Sequence, residues 1–283
     1  MKSDITLNQV GIFDSGVGGL SVLRQIQHDI PTAPLIYIAD QAHIPYGEKP
    51  LGEILRYARE ITRFLLAHGA SMIVVACNTA SAAALNTLRS DYPEVPFVGM
   101  EPAVKPASQL THSHVVGVLA TPATFQGRLY ATLVERFAKD VTILTGTLPG
   151  LVEAIERGEL YIPATRAILE HAISPMLAAG ADTIVLGCTH FPFVLPLIRQ
   201  IAGEQVNVID PAPAIARRVA SLIAEHDWQY PDTAANIIFY TTGSTAHFAE
   251  MLEHLLDIRA QPTQLSWHPD SQQLLEMRTS VWH

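Results

Sequence analysis

The chain carries the same pattern twice. LAHGASMIVVAC at 66–77 recurs 111 residues later as LAAGADTIVLGC at 177–188, with seven of twelve positions identical. The same shift lays VPFVGMEPAV (95–104) on VNVIDPAPAI (206–215) without a gap. At a slightly different offset, VGIFDS (10–15) resembles VGVLAT (116–121). A match this long describes one architecture built twice. Each copy reads as a helix ending in Gly-Ala, an apolar strand, a cysteine, a helix, a strand and then Pro-Ala.

Around this repeat, short apolar runs alternate with segments of helical spacing. Strands are expected at 10–13, 35–38, 73–76, 95–98, 115–119, 184–187, 206–209 and 237–240, and helices at 51–67, 124–137, 164–177 and 214–223. Strands alternating with helices imply βαβ units and mostly parallel sheets. The expected fold class is α/β: two similar Rossmann-like domains related by a pseudo-twofold axis, with the active site in the cleft between them. The stretch 262–283 shows no such pattern and reads as an irregular tail on the surface.

Composition narrows the function. An apolar content of 48% with 16% charged residues describes an ordinary globular chain. A net charge of −9, with no long basic run, argues against a nucleic-acid partner. The N-terminal MKSDITLN has no apolar signal core, and no run is long enough to span a bilayer, so no membrane partner is expected. Two cysteines cannot build a disulfide framework, which points to a reducing, cytoplasmic setting.

Those two cysteines, Cys77 and Cys188, end equivalent strands of the repeat. In open α/β sheets, ligands sit beyond the carboxyl ends of strands, where loops meet helix N-termini. If the two halves face each other, two thiols confront one ligand from opposite sides. Inverting a stereocentre by proton transfer needs a base on one face of a planar carbanion and an acid on the other, and the reverse reaction exchanges their roles. A thiol of pKa about 8.5 serves as either. Asn78 or Thr79 after Cys77, and Thr189 after Cys188, can cap the following helices. The N–H groups at those helix starts can receive a carboxylate.

DSGVGG (14–19), PYG (45–47), ACNTA (76–80), GCTHFP (187–192) and FYTTG (239–243) together resemble the cofactor-independent glutamate racemases, over nearly the whole chain. The resemblance implies racemisation of L- and D-glutamate without cofactor or metal, supplying D-glutamate for peptidoglycan, in a protein that is commonly a homodimer. It implies that the chain leaves the first domain near Pro102 and returns near Pro213. The domains would then be 1–102 completed by 214–283, and 103–213.

By the same resemblance, Cys77 takes the α-proton of D-glutamate and Cys188 that of L-glutamate. Asp14 assists Cys77 and His190 assists Cys188, while Asp40 and Glu153 match further acidic positions. Asp14, Ser15, Pro45, Tyr46, Gly47, Asn78, Thr79, Thr121, Thr189 and His190 match substrate-contacting positions. The second-domain motif departs from the usual G-T-x-x-T and reads ATPAT (120–124), which keeps Thr121 and Thr124 as expected substrate-binding residues.

Other readings of these residues stand beside that one. Cys77, Cys188, His190 and Asp14 form a set that could hold a zinc ion. A hinged pair of α/β domains also suits an amino-acid-binding protein. Pyridoxal chemistry would need a lysine, and Lys2, Lys49, Lys105 and Lys139 lie in no evident phosphate-binding setting. Asp14 and Ser15 could simply cap the helix after GVGG, a stretch that lacks the third glycine of the dinucleotide fingerprint. Spacing alone makes Glu153 the partner of Arg157 in an exposed helical ion pair.

Overall fold

The computed structural model describes residues 8–276. The first stretch of chain supplies strands β1 (Gln9–Asp14), β2 (Leu35–Ala39), β3 (Ala70–Val75) and β4 (Phe97–Gly99). A second sheet holds β5 (Val115–Ala120), β6 (Thr142–Gly146), β7 (Thr183–Gly187) and β8 (Asn207–Ile209). The chain then returns to the first sheet with β9 (Ile237–Thr241), β10 (Thr263–Trp267) and β11 (Leu274–Glu276). The sheet orders are β11-β10-β9-β2-β1-β3-β4 and β6-β5-β7-β8. The run β2-β1-β3-β4 and the run β6-β5-β7-β8 share one order, which is the 111-residue repeat expressed as topology. Neighbouring strands pair in parallel, with the β10–β11 hairpin antiparallel. The expected two-sheet, mostly parallel α/β architecture is the one observed.

Helices α1 (Leu20–Asp29), α2 (Leu51–Ala67), α3 (Asn78–Asp91) and α4 (Val104–Leu110) connect the first strands. They are followed by α5 (Pro122–Gln126), α6 (Arg128–Phe137), α7 (Leu151–Glu156) and α8 (Pro163–Ala178). The chain finishes with α9 (Leu195–Ala202), α10 (Ala212–Glu225) and α11 (Thr245–Leu256). Helix α2 buries Ile54, Tyr57, Ala58, Ile61 and Leu65, the three- and four-residue spacing of one helical face. It stops where the repeat demands. Gly69 (φ 92°) and its counterpart Gly180 (φ 89°) take the left-handed region just past α2 and α8, where a side chain would be strained.

Each sheet is covered on both faces. Ile12, Tyr37 and Val74 face a large core that also holds Leu119, Ile184 and Leu186 from the second sheet. Phe13, Ile38, Ile73 and Val75 point the other way, into a core under α2 and α3. A third core of Val116, Val118 and Val185 lies beneath α4 and α6. Burial on both faces is why these strands read as continuous apolar runs.

Three expectations change. The helix expected over 124–137 breaks at Gly127, whose extended backbone (φ −67°, ψ 135°) separates α5 from α6. Strand β6 carries no strong sequence signal because it is an edge strand with no fully buried residue. The expected irregular tail is instead β10 and β11 as far as Glu276, and 277–283 lie outside the described residues. Only Leu265 of β10 is fully buried, so its alternation is faint. Among the described residues, no helix is long and apolar enough to cross a membrane.

Candidate active site

Cys77 lies two residues beyond the end of β3, and Cys188 directly follows β7, at matching ends of the two sheets. Both are free, buried thiols, and both line one cleft. The cleft has an empty volume of about 680 Å³, counting space open to solvent. Of the residues singled out in the sequence, it brings together Ser15, Pro45, Tyr46, Gly47, Asn78, Thr79, Thr121, Glu153, Thr189 and His190. Asp14, Asp40 and Thr124 stand behind this lining. The loop Thr147–Gly150 adds a wall that carried no sequence signal.

The two cysteines start their following helices differently. Cys77 is itself the N-cap of α3, its Sγ accepting from the Ala80 N–H at 3.4 Å, so neither Asn78 nor Thr79 caps. Cys188 leads through Thr189 and His190 into a 3-10 turn, Phe191–Val194, with no side-chain cap.

Asp14 ends β1, fully buried, and its Oδ2 accepts from the Gly19 N–H at 2.6 Å and from Thr189 Oγ1 at 3.4 Å. The capping reading is not realised: the N-cap of α1 is Gly19 with no side-chain cap, and Asp14 anchors the β1–α1 turn ahead of the helix. Its Oδ1 is buried with no hydrogen-bond partner among the described residues. Burial raises Asp14 above its ordinary value, against the pull of His190 and the Gly19 N–H. Burial, reinforced by the Asp14 charge, pushes the Cys77 thiol well up.

On the opposite side, His190 Nδ1 faces Cys188 Sγ at 3.8 Å, and Nε2 sits 2.7 Å from Glu156 Oε1. Burial opposes a charge on this ring, yet its contacts with Cys188 and Glu156 hold it well above the usual histidine value. Burial likewise opposes ionisation of Glu156, but His190, Gln41 and the Val17 N–H bring its carboxyl below the usual value. Sequence reasoning missed Glu156. It singled out Glu153, which lines the cleft from the same helix, while Arg157 pairs with Glu159 at 2.6 Å. The signal for Glu156 is tertiary.

The GVGG stretch has its explanation here. A Cβ on Gly16 would collide with the Glu156 carboxylate, and one on Gly18 with the His190 ring. These glycines let the β1–α1 turn close on the second sheet's acid and imidazole, which is a different use from cradling a phosphate.

The remaining polar groups are receptors. Thr79 Oγ1 meets Thr121 Oγ1 at 2.8 Å and Thr124 Oγ1 at 3.3 Å, joining α3 to α5. Both amide atoms of Asn78 are buried without partners among the described residues. Asp40 is fully buried behind Tyr46. It accepts from Tyr46 (2.6 Å), His43 (2.9 Å), Thr242 (2.8 Å) and Trp267 (2.8 Å). Among the described residues, no group of three or more His, Cys, Asp and Glu side chains is set to hold a metal ion.

A family model described as Asp/Glu/hydantoin racemase matches residues 20–219. A glutamate racemase of Ectopseudomonas mendocina (strain ymp) is 48% identical over 89% of this chain and 96% of its own. The crystal structure of Escherichia coli glutamate racemase in complex with L-glutamate and the activator UDP-MurNAc-Ala is 36% identical. It superposes with a TM-score of 0.77, covering 89% of this chain and 94% of that one. Glutamate racemase from Francisella tularensis subsp. tularensis SCHU S4 in complex with D-glutamate gives a TM-score of 0.79 at 27% identity, over 91% and 97% of the two chains. With a match across most of its length and relatives this similar, the chain belongs to the Asp/Glu/hydantoin racemase family.

Proposed function

We propose that this protein is a glutamate racemase in which Cys77 and Cys188 are the two bases, supplying D-glutamate for peptidoglycan. One observation carries the reading: two free thiols line a single cleft from matching ends of two sheets that share a strand order. In the D-to-L direction, the Cys77 thiolate takes the α-proton and the Cys188 thiol delivers its own proton to the opposite face. The L-to-D direction exchanges the roles. Asp14 moves a proton to and from Cys77, and His190, held by Glu156, does so for Cys188. Ser15, Asn78, Thr79, Thr121 and Thr189 receive the substrate's carboxylates, with Tyr46 and Gly47 closing the wall. Asp40 and Thr124 act through Tyr46 and Thr121, and Glu153 faces the substrate from α7. The chain crosses between domains near Pro102 and Pro213, and reacting thiols suit a reducing, cytoplasmic compartment.

The test is turnover of each enantiomer of glutamate and aspartate, without added cofactor, with and without chelator, in heavy water. Inversion of glutamate should persist in chelator. Each conversion should place solvent deuterium in the product enantiomer, with little in the remaining starting enantiomer at early times. Cys77→Ala and Cys188→Ala should each abolish inversion in both directions. Full racemisation by either variant overturns the two-base reading, and a preference for aspartate overturns the substrate.

A further inference from the structure

The FYTTG motif at 239–243 lies at the end of β9 and contributes nothing to the cleft lining, yet it is wired to the cleft. Gly243 N–H donates to Thr241 Oγ1 at 3.0 Å, and Thr241 Oγ1 donates to Gln41 Oε1 at 2.8 Å. Gln41 Nε2 then donates to Glu156 Oε2 at 3.0 Å. The other oxygen of that carboxylate, Oε1, accepts from His190 Nε2 and from the Val17 N–H, both at 2.7 Å. His190 in turn presents Nδ1 to Cys188.

The direction of the chain follows from donor chemistry. An ionised carboxylate only accepts, so the Gln41 atom facing it is the NH₂, and the carbonyl is the atom left to accept from Thr241. Gln41 is therefore held at its far end in the one orientation that donates to Glu156. Without that bond, the Glu156 carboxylate is held through Oε1 alone, by the Val17 N–H and His190, and can swing about that anchor, so the direction in which Oε1 receives the His190 N–H is no longer fixed.

Resting on the assignment of Cys188 as a base, we infer that Gln41, oriented by Thr241, is a positioning residue that fixes the Glu156 carboxylate and, through it, the His190 ring facing Cys188. Gln41 does not line the cleft, so its effect falls on turnover and leaves substrate affinity alone. A second contact supplies a control. His247 Nε2 donates to the backbone carbonyl of Glu156 at 2.8 Å and reports whether α7 itself stays in place.

The experiment is a double-variant cycle on the intact enzyme. Gln41→Leu should lower kcat about five- to thirtyfold, as expected for partial loss of a bond to a charged group, with KM changed less than about twofold. Thr241→Val should act in the same direction and more weakly. In a Glu156→Gln background, Gln41→Leu should cost less than about twofold, because the path it serves is already cut. In parallel, the ring N–H proton of His190 should lose its protection against exchange in Gln41→Leu, while that of His247 keeps it. Equal losses of kcat in both backgrounds, a change confined to KM, loss of protection at both histidines, or protection unchanged at His190 would each overturn the inference. Racemisation surviving Cys188→Ala would remove the base assignment instead, and the histidine signals would still decide whether Gln41 positions His190.

Discussion

Glu156 holds His190 across a 2.7 Å contact in which both side chains are withdrawn from solvent. The imidazole therefore offers Cys188 a fixed nitrogen, and its ring charge is balanced on the far side. Replacing Glu156 with Gln removes that balancing charge, while Glu153→Gln alters only the cleft wall. We expect Glu156→Gln to lower kcat about a hundredfold, within the range of one positioned acid–base group, and Glu153→Gln to lower it less than about fivefold. Steady-state kinetics of the two variants in both directions check this. A larger loss for Glu153→Gln would reverse the assignment.

Asp40 ties three parts of the chain together through four contacts: His43 and Tyr46 beside the cleft, Thr242 just past β9, and Trp267 on β10. Asn cannot accept at every position where the carboxylate does, and its own NH₂ would face donors. One or two buried donors are then left unpaired. Asp40→Asn should destabilise the fold by about 2 kcal/mol, lowering Tm by about 4–8 °C in calorimetry. Because Tyr46 loses its anchor, KM should rise as well. An unchanged Tm would mean that the four contacts make no net contribution.

Much of this was legible in the sequence, for a physical reason. Ile73, Val74 and Val75 are fully buried because α/β crossovers cover both faces of β3, and such strands announce themselves as apolar runs. The repeat then placed the cysteines at matching strand ends. Strand β6 stayed hidden because an edge position leaves Thr142 with no need to be apolar, and β10 because Leu265 alone is fully buried, leaving Gln264 no need to be apolar either. Glu156 stayed hidden for a different reason. On a six-residue helix, spacing cannot say which glutamate turns inward, and the apparent Glu153–Arg157 pair is replaced by Arg157–Glu159. The acid that meets His190 is selected by the approach of the β1–α1 turn, and a single sequence does not display that approach.

Asp182, just before β7, accepts from Thr111 Oγ1 (2.6 Å), Thr183 Oγ1 (3.0 Å) and the N–H groups of His112 (2.7 Å) and Ser113 (2.8 Å). Partial burial opposes its ionisation, but these donors outweigh it and hold the carboxyl well below the usual range. Its folded value thus lies below the unfolded value of about 3.9. The stabilisation is fully present above that pH and is lost as pH falls through the folded value. Asp182→Asn should lower Tm by about 2–4 °C at pH 7, equivalent to about 1 kcal/mol after allowing for solvent screening. The gap between variant and parent should narrow in acid. A gap that stays constant down to strongly acidic pH would show that the charge is not what matters.

Asp14 is where anchoring of the β1–α1 turn and proton transfer can be separated. Asn at this position keeps an oxygen that can accept from the Gly19 N–H, so a residue that only anchors the turn would tolerate the change. Proton transfer would not survive it, because the amide cannot take up or release a proton for Cys77. The charge has a second effect with a definite sign. Burial and the negative Asp14 carboxyl both raise the Cys77 thiol, so removing the carboxyl's charge lowers the pH at which the thiolate forms. For Asp14→Asn, the rising limb of kcat/KM against pH with D-glutamate should therefore move to lower pH, while its maximum falls about ten- to a hundredfold. Full pH profiles of the parent and the variant check both effects. A lower maximum with an unmoved limb would reduce Asp14 to shaping the cleft, and an unchanged profile would reduce it to an anchor of the β1–α1 turn.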